Sequence, residues 1–295
     1  MARTYLPLLL ALSAIWGSSY MFIKVALRDF APTTMVELRL LLAALVLVGF
    51  LAARGGLTRA RRAMAPGAFV GIVGMAVPFL LITWGETHID SGVAAVANSS
   101  VPIFVALLAL RFAPSERSGG LRLVGLAIGI GGVAVVVGIH PGGGWWAVAG
   151  ASAVVLASLC YALSSLVIQR GLAVGGPELA AASVVCGAVA MLPFALVHLP
   201  DHVSWKPLGS VVALGVGATG IAQLLINRLI GAHGPARAML VNYLLPGFAL
   251  VYGIVLLGEP LTGAEVGGLA LILAGVSFAS GLVRWTRRAV PVPEP

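Results

Sequence analysis

The chain alternates between long apolar runs and short polar links. A run of about 20 apolar residues is needed to cross the hydrocarbon core of a bilayer as a helix. Ten such runs are present, at 5–27, 33–53, 65–85, 91–110, 120–139, 147–169, 177–198, 207–228, 235–257 and 263–284. The pattern predicts an all-α integral membrane protein of ten transmembrane helices. The links carry most of the charge, and none is long enough to hold a soluble domain. The last residues, "AVPVPEP", are Pro-rich and read as a disordered tail. The first run has a basic residue before it, as a signal peptide does, but it is too long for a signal-peptide core. Its sequence also recurs in the sixth run, so it belongs to the fold.

That recurrence extends further. "SAIWGSSYMFIKVAL" from Ser13 aligns with "SLCYALSSLVIQRGL" from Ser158, 145 residues on, placing Trp16 on Tyr161 and Ser19 on Ser164. "VANSSVPIF" from Val96 aligns with "LVNYLLPGF" from Leu240 at 144, and "SERSGGLRLVGLAIGIGGV" with "GEPLTGAEVGGLALILAGV" at 143. Glu116 then falls on Glu259, Gly125 on Gly268 and Gly132 on Gly275. Three blocks in one order imply a duplicated unit of five segments, 1–140 and 145–285, followed by a tail at 286–295. Five is odd, so the halves enter the bilayer in opposite directions. Inverted repeats are a recurring plan of secondary transporters, with the site between the halves near the midplane.

Composition agrees. Of the residues, 60% are hydrophobic and 9% charged, against about 25% charged in soluble domains. With the N-terminus inside, the inner links and tails hold 14 of the 18 Lys and Arg, and the outer side holds Lys24, Arg28, Arg39 and Lys206. By the positive-inside rule both termini face the cytoplasm. The net charge of +8 is explained by this asymmetry, with no nucleic-acid partner.

Each half places an Asn four residues before a Pro. In a helix the amide of residue i bonds the carbonyl of i−4, so Pro102 orphans the carbonyl of Asn98, and Pro246 that of Asn242. An unsatisfied backbone group in lipid costs several kcal/mol. Each amide side chain therefore sits where the helix is opened, able to bond freed backbone, a neighbouring helix or a ligand. Pro102 and Pro246 are the expected kinks flanking a central cavity. Trp16, Ser19, Tyr20 and Ile23 share one face of the first run at i, i+3, i+4, i+7 spacing. Tyr161, Ser164 and Ser165 repeat that face. Trp84, Ser99 and Ser100 add polar atoms in the first half, and Gln223, Asn227, Tyr243 and Tyr252 in the second. Such a lining suits an amphipathic ligand with a neutral or zwitterionic head. The plain alternative is that the amides join helices and the aromatics form interfacial belts, the latter reading suiting Trp145, Trp146, Trp205 and Trp285.

Charged residues inside spans are expensive and informative. Glu37 and Arg39 fall in the outer part of the second run, each snorkelling or finding its own partner. Glu86, His88 and Asp90 cluster at the outer end of the third and read as a solvated loop. Lys24 and Lys206, the only lysines, follow Ile23 and Trp205, so the Gly-Lys of a P-loop is missing. "HPGGGWW" reads as a flexible turn. Cys160 and Cys186 show no metal or redox spacing, and no metal or other cofactor is expected. The five histidines lie at span ends or in links, without GxSxG or HExxH, which argues against an enzyme. A channel would offer polar rings along a pore, and the charges lie at the ends instead.

The chain resembles the EamA branch of the drug/metabolite transporter superfamily. The likeness is carried by "AIWGSSYMFIKVAL", "ELRLLLAALVL", "VPIFVALLALRFAPSE" and "LLPGFALVYGIVLLGEPLTGAEVGGLALILAGV". The last, with Pro246, Gly258, Glu259, Pro260, Gly268 and Gly275, is the most specific; the first half has Ser115 where Gly is usual before Glu116. The resemblance implies a ten-helix inverted-repeat exporter in a bacterial-type inner membrane, working by alternating access. It implies a small-molecule substrate, neutral amino acids including aromatic ones, with other metabolites or drugs as the alternative. The cavity residues expected from the polar positions and spacing above are Trp16, Ser19, Tyr20, Trp84, Asn98, Ser99, Tyr161, Ser164, Asn242 and Tyr243. A monomer in the lipid bilayer suffices for this scheme.

Overall fold

The computed structural model describes residues 2–112, 120–138, 144–169 and 176–279. The described residues form an all-helical bundle. Seven helices are long and apolar enough to cross a membrane, and three shorter apolar helices accompany them. In chain order they are α1 (Ala2–Ala26), α2 (Pro32–Ala53), α3 (Met64–Glu86), α4 (Ser91–Asn98 and Val101–Phe112) and α5 (Gly120–Gly138). The second half has α6 (Gly144–Gln169), α7 (Gly176–Ala195), α8 (Trp205–His233), α9 (Val241–Leu257) and α10 (Gly263–Ala279). The tail and the end of the tenth predicted run lie outside the described residues.

The packing obeys a two-fold exchange of halves. Helix α1 packs along α9 while α6 packs along α4; α3 packs on α6 and α7 while α8 packs on α1 and α2. Swapping each helix for its repeat equivalent turns every one of these pairings into another. The pairs α2–α7 and α5–α10 map onto themselves, so they lie beside the pseudo-axis. Both are antiparallel. Thr34 Oγ1 donates to the carbonyl of His198 at 2.6 Å, and further along Leu40 meets Gly187. Equivalent helices running in opposite directions make the repeat an inverted one.

Glycine sets the α5–α10 crossing. A Cβ on Gly275 would sit 2.5 Å from the amide nitrogen of Gly129 and 2.6 Å from the carbonyl oxygen of Gly125. A Cβ on Gly132 would sit 2.9 Å from the carbonyl oxygen of Gly268. The two contacts, Gly125 with Gly275 and Gly132 with Gly268, are each other's images under the repeat. In lipid the apolar effect does not favour one helix over the acyl chains, so close backbone approach and dispersion do this work. Helices α3 and α8 share another device, a π-helical stretch at Ile72–Ala76 and at Ala213–Ile221 respectively.

Links at the same end of the bundle contact one another. At one end the carboxylate of Asp29 accepts the backbone amide of Ser204 at 2.6 Å, which holds its pKa below the usual carboxylate range. At the other, Arg59 pairs with Glu178 at 3.4 Å and the Tyr5 hydroxyl donates to the Arg237 carbonyl at 3.1 Å. The first end is the one that the charge distribution assigns to the outside.

Replacing Gly275 with Leu is expected to lower the midpoint of thermal unfolding in detergent, through an overpacking cost of about 1–3 kcal/mol. Gly131 lies on the same helix pair, but a Cβ there would meet nothing within 4 Å. It serves as the control: Gly131→Leu should leave the midpoint unchanged.

Candidate functional site

Helix α4 is interrupted where the Asn–Pro spacing predicts it. The first segment ends at Asn98, Ser99 and Ser100 form a turn, and the second segment starts at Val101 with Pro102 in its first turn. The polar groups opened by this break are met by neighbours. The Ser158 hydroxyl of α6, which also reaches the Val154 carbonyl of its own helix at 3.2 Å, lies 3.4 Å from the Asn98 carbonyl oxygen and 3.1 Å from its side-chain Oδ1. The Asn98 side-chain nitrogen donates to the Tyr20 hydroxyl of α1 at 2.8 Å. One amide therefore joins α1, α4 and α6. Ser99 and Ser100 turn their hydroxyls back to the carbonyls of Ala95 and Ala97.

The second copy is built differently. Pro246 sits inside the continuous helix Val241–Tyr252, and the chain turns earlier, at Met239–Leu240. Among the described residues Asn242 makes only a local side-chain contact, to the sulfur of Met239 at 3.7 Å. The repeat equivalent of Ser158 is Ser13, whose hydroxyl bonds the Leu9 carbonyl of its own helix. Among the described residues the Asn98 bridge thus has no formed counterpart in the other half.

Arg39 stands beside this bridge. It is buried, 5% exposed. Its Nε donates to Thr219 Oγ1 at 2.8 Å, and its Cζ lies 3.8 Å from the centre of the Phe79 ring. Thr219 belongs to the π-helical stretch of α8 and donates in turn to the Leu214 carbonyl. Tyr20, Tyr161 and Glu86 are within electrostatic range of the guanidinium. Arg39, Phe79, Tyr20 and Asn98 each lie six or seven residues from the same end of their helices, about 10 Å deep at 1.5 Å per residue. Sequence reasoning leaves Arg39 out of the site because its closest partner is 180 residues away.

Other candidate residues distribute around this centre. Tyr20 is buried and Tyr161 partly buried against the main core. Trp16 donates its indole N–H to the Ala218 carbonyl at 3.1 Å and packs in a second cluster with Leu12, Ile226 and Leu229. Ser19 is 3.5 Å from the Ile15 carbonyl, Ser164 packs against Gly74, and Tyr243 lies against the core. Trp84 stands apart. Its ring contacts His88 at 4.7 Å with the planes tilted by 40°, and His88 reaches Trp146; Trp84 also borders an apolar groove of about 380 Å³ with Thr33, Leu80 and His198.

Two expectations about charge are corrected. Glu86 is no part of a solvated loop; it is 1% exposed, and neither carboxyl oxygen has a hydrogen-bond partner. Glu37 does not snorkel: it is buried, with both oxygens likewise unpartnered. The Lys24 ammonium caps the end of α3, donating to the carbonyls of Glu86 and Ile89 at 2.7 and 2.5 Å. Glu259 caps the start of α4. Gly258, at φ +71°, turns the chain after α9, and the carboxylate then accepts the Ser91 amide at 3.0 Å, the Gly92 amide at 3.3 Å and the Ser91 hydroxyl at 2.6 Å. Free amides at a helix N-terminus favour an anion. The repeat equivalent, Glu116, lies outside the described residues.

A family model described as the EamA-like transporter family matches residues 3–138 and again 148–281. An uncharacterized inner membrane transporter, YedA, of Escherichia coli K12 is 31% identical, the match covering 99% of this chain and 96% of that protein. A probable terminal-alkyne amino-acid exporter of Streptantibioticus cattleyicolor is 30% identical, covering 94% of each chain. A probable amino-acid metabolite efflux pump of Salmonella typhimurium is 27% identical, covering 91% of this chain and 92% of that one. One crystal structure matches with a TM-score of 0.68 at 20% identity, covering 93% of this chain and 96% of the other; it shares the fold. The family and these relatives are transporters rather than enzymes.

Asn98→Ala is expected to cost about 0.6–1.7 kcal/mol of stability, the range for interhelical hydrogen bonds in membranes. Asn242→Ala should stay within about 0.5 kcal/mol. Reversible unfolding of the two variants in the same detergent compares them directly.

Proposed function

The chain belongs to the EamA-like transporter family, and we propose that it exports small amphipathic metabolites, chiefly aromatic and other neutral amino acids, by alternating access. The proposed setting is a bacterial-type inner membrane, spanned ten times, with both termini in the cytoplasm. The repeats are taken as 1–140 and 145–285, with a cytoplasmic tail at 286–295. One chain supplies both halves of the path and is proposed to act as a monomer.

One observation carries this reading: the amide bridge is made in one repeat and unmade in the other. Asn98 ties α4 to Tyr20 of α1 and Ser158 of α6, whereas Asn242 keeps to its own turn. In an inverted repeat, two equivalent groups on opposite sides of the midplane exchange environments when the halves rock. A formed bridge on the Asn98 side and an open one on the Asn242 side describe one end state, closed toward the outside. The Lys24 and Glu259 caps act at that same end. Exchange of the two arrangements would open the path outward. Pro102 at its break, and Pro246 above the π-helical turn Gly253–Leu257, are the proposed points of flexure.

The amino-acid reading is supported by the names given to two relatives, an amino-acid exporter and an amino-acid metabolite efflux pump. It is supported also by the chemistry of the centre, where Tyr20, Tyr161 and Phe79 offer apolar faces beside an amide and hydroxyls. Trp16, Ser19, Ser99, Ser164, Asn242 and Tyr243 are proposed to join the path as it opens. Trp84 is proposed to serve the outer groove.

Counterflow in proteoliposomes tests this. Vesicles preloaded with unlabelled Phe, Met, Thr and Leu are expected to accumulate labelled Phe saturably, and unloaded vesicles to accumulate much less. Uptake that is linear in concentration and indifferent to preloading would instead mark a channel. Stimulation by drugs alone would move the substrate class away from amino acids.

A further inference from the structure

Three buried ionic side chains of the first half, Glu37, Arg39 and Glu86, stand near the outer third of the bundle, and they are not in the same condition. The carboxyl oxygens of Glu37 and Glu86 have neither a hydrogen-bond partner nor access to solvent. Arg39 differs. Only its Nε is engaged, by Thr219, and its Nη nitrogens are not among the sealed polar atoms. Among the described residues the only ion pair joins Arg59 to Glu178, remote from Arg39.

A buried guanidinium without a salt-bridge partner, its charge met only at longer range by Glu86, is costly inside a membrane protein, and such residues mark substrate or ion pathways. The rest of the guanidinium is held still. Thr219 fixes the Nε edge and the Phe79 ring lies on one face. What remains is the far edge, where two Nη nitrogens present parallel N–H donors. That fork matches the two oxygens of a carboxylate. Lys could not replace it, because an ammonium has no planar edge to orient.

We infer that Arg39 anchors the carboxylate of the transported molecule, so that the exporter selects carboxylic acids and rejects amines and amides of the same apolar shape. The ligand's apolar part then lies beside Tyr20 and Tyr161, at the level of the Asn98 bridge. This rests on the exporter reading above and deepens it: Arg39 becomes the specificity-determining residue of that site. Release follows when rocking of α8 against α2 carries Thr219, and with it the Nε support, to a new position.

The test is competition for counterflow in wild-type proteoliposomes. Labelled L-phenylalanine is the probe, and the competitors are unlabelled L-phenylalanine, 3-phenylpropionate, L-phenylalaninamide and 2-phenylethylamine. The acids are expected to compete, and the amide and the amine to do so roughly 10- to 100-fold less well, as loss of a charge-assisted contact implies. Arg39→Gln should abolish this preference, and Arg39→Lys should restore only part of it. Equal competition by acid and amide in the wild type overturns the anchor without recourse to any variant, so misfolding of Arg39→Gln cannot mask the answer. Saturable counterflow of ethidium, with none of labelled Phe, Met, Thr or Leu, would also overturn it while leaving an exporter in place. No counterflow of either class would remove the exporter reading, and the anchor with it.

Discussion

The α5–α10 crossing is the contact on which the arrangement of the halves depends. Two helices that are equivalent by sequence meet backbone to backbone, antiparallel, through Gly125 with Gly275 and Gly132 with Gly268. A contact that maps onto itself under exchange of the halves can lie only beside their common axis. Once it is made, the other pairings follow in symmetric sets: α1 with α9 as α6 with α4, and α3 with α7 as α8 with α2. The bilayer leaves little besides close approach to hold such a seam, since acyl chains compete on equal terms for apolar side chains.

Around this shared frame the two halves place their polar groups differently. The bilayer penalises orphaned backbone, and at the break in α4 the Ser158 hydroxyl lies within reach of the Asn98 carbonyl. The corresponding stretch of α9 solves the same problem by turning earlier and keeping Pro246 within helix. The same tripartite logic of amide, hydroxyl and proline thus gives a joint in one half and a continuous rod in the other. A structure that is symmetric in its apolar packing and asymmetric in its hydrogen bonds has the ingredients of a two-state device: common walls, and latches made on one side at a time.

Much of this is legible in the sequence. Apolar runs are long and their boundaries charged, so the helices can be read directly; repeated Gly, Glu and Pro positions betray the duplication. The kink at Pro102 follows from a missing amide proton. Local reading fails where an interaction joins distant segments. Arg39 lies near a span end, where snorkelling and a separate partner are both open; the groups it meets, Thr219 and Phe79, belong to two other helices. Glu86 looks solvated because its neighbours His88 and Asp90 are polar, and nothing local reveals that α3 turns it inward. Trp84 groups with the centre by residue type, whereas its ring faces His88 and the groove beside Thr33 and His198. Among the described residues Glu37 likewise has no hydrogen-bond partner, although its place in the second run gives no local sign of burial.

The cap that Glu259 places on α4 has a bearing on biosynthesis. The exposed amides of Ser91 and Gly92 belong to the first half of the chain, but the carboxylate that receives them is made 168 residues later. Through the insertion of the intervening helices, the start of α4 must rely on water or lipid headgroups. Only when the turn at Gly258 emerges can that end be closed. The cap on the fourth helix is therefore completed only by the second repeat, just before the last helix leaves the ribosome.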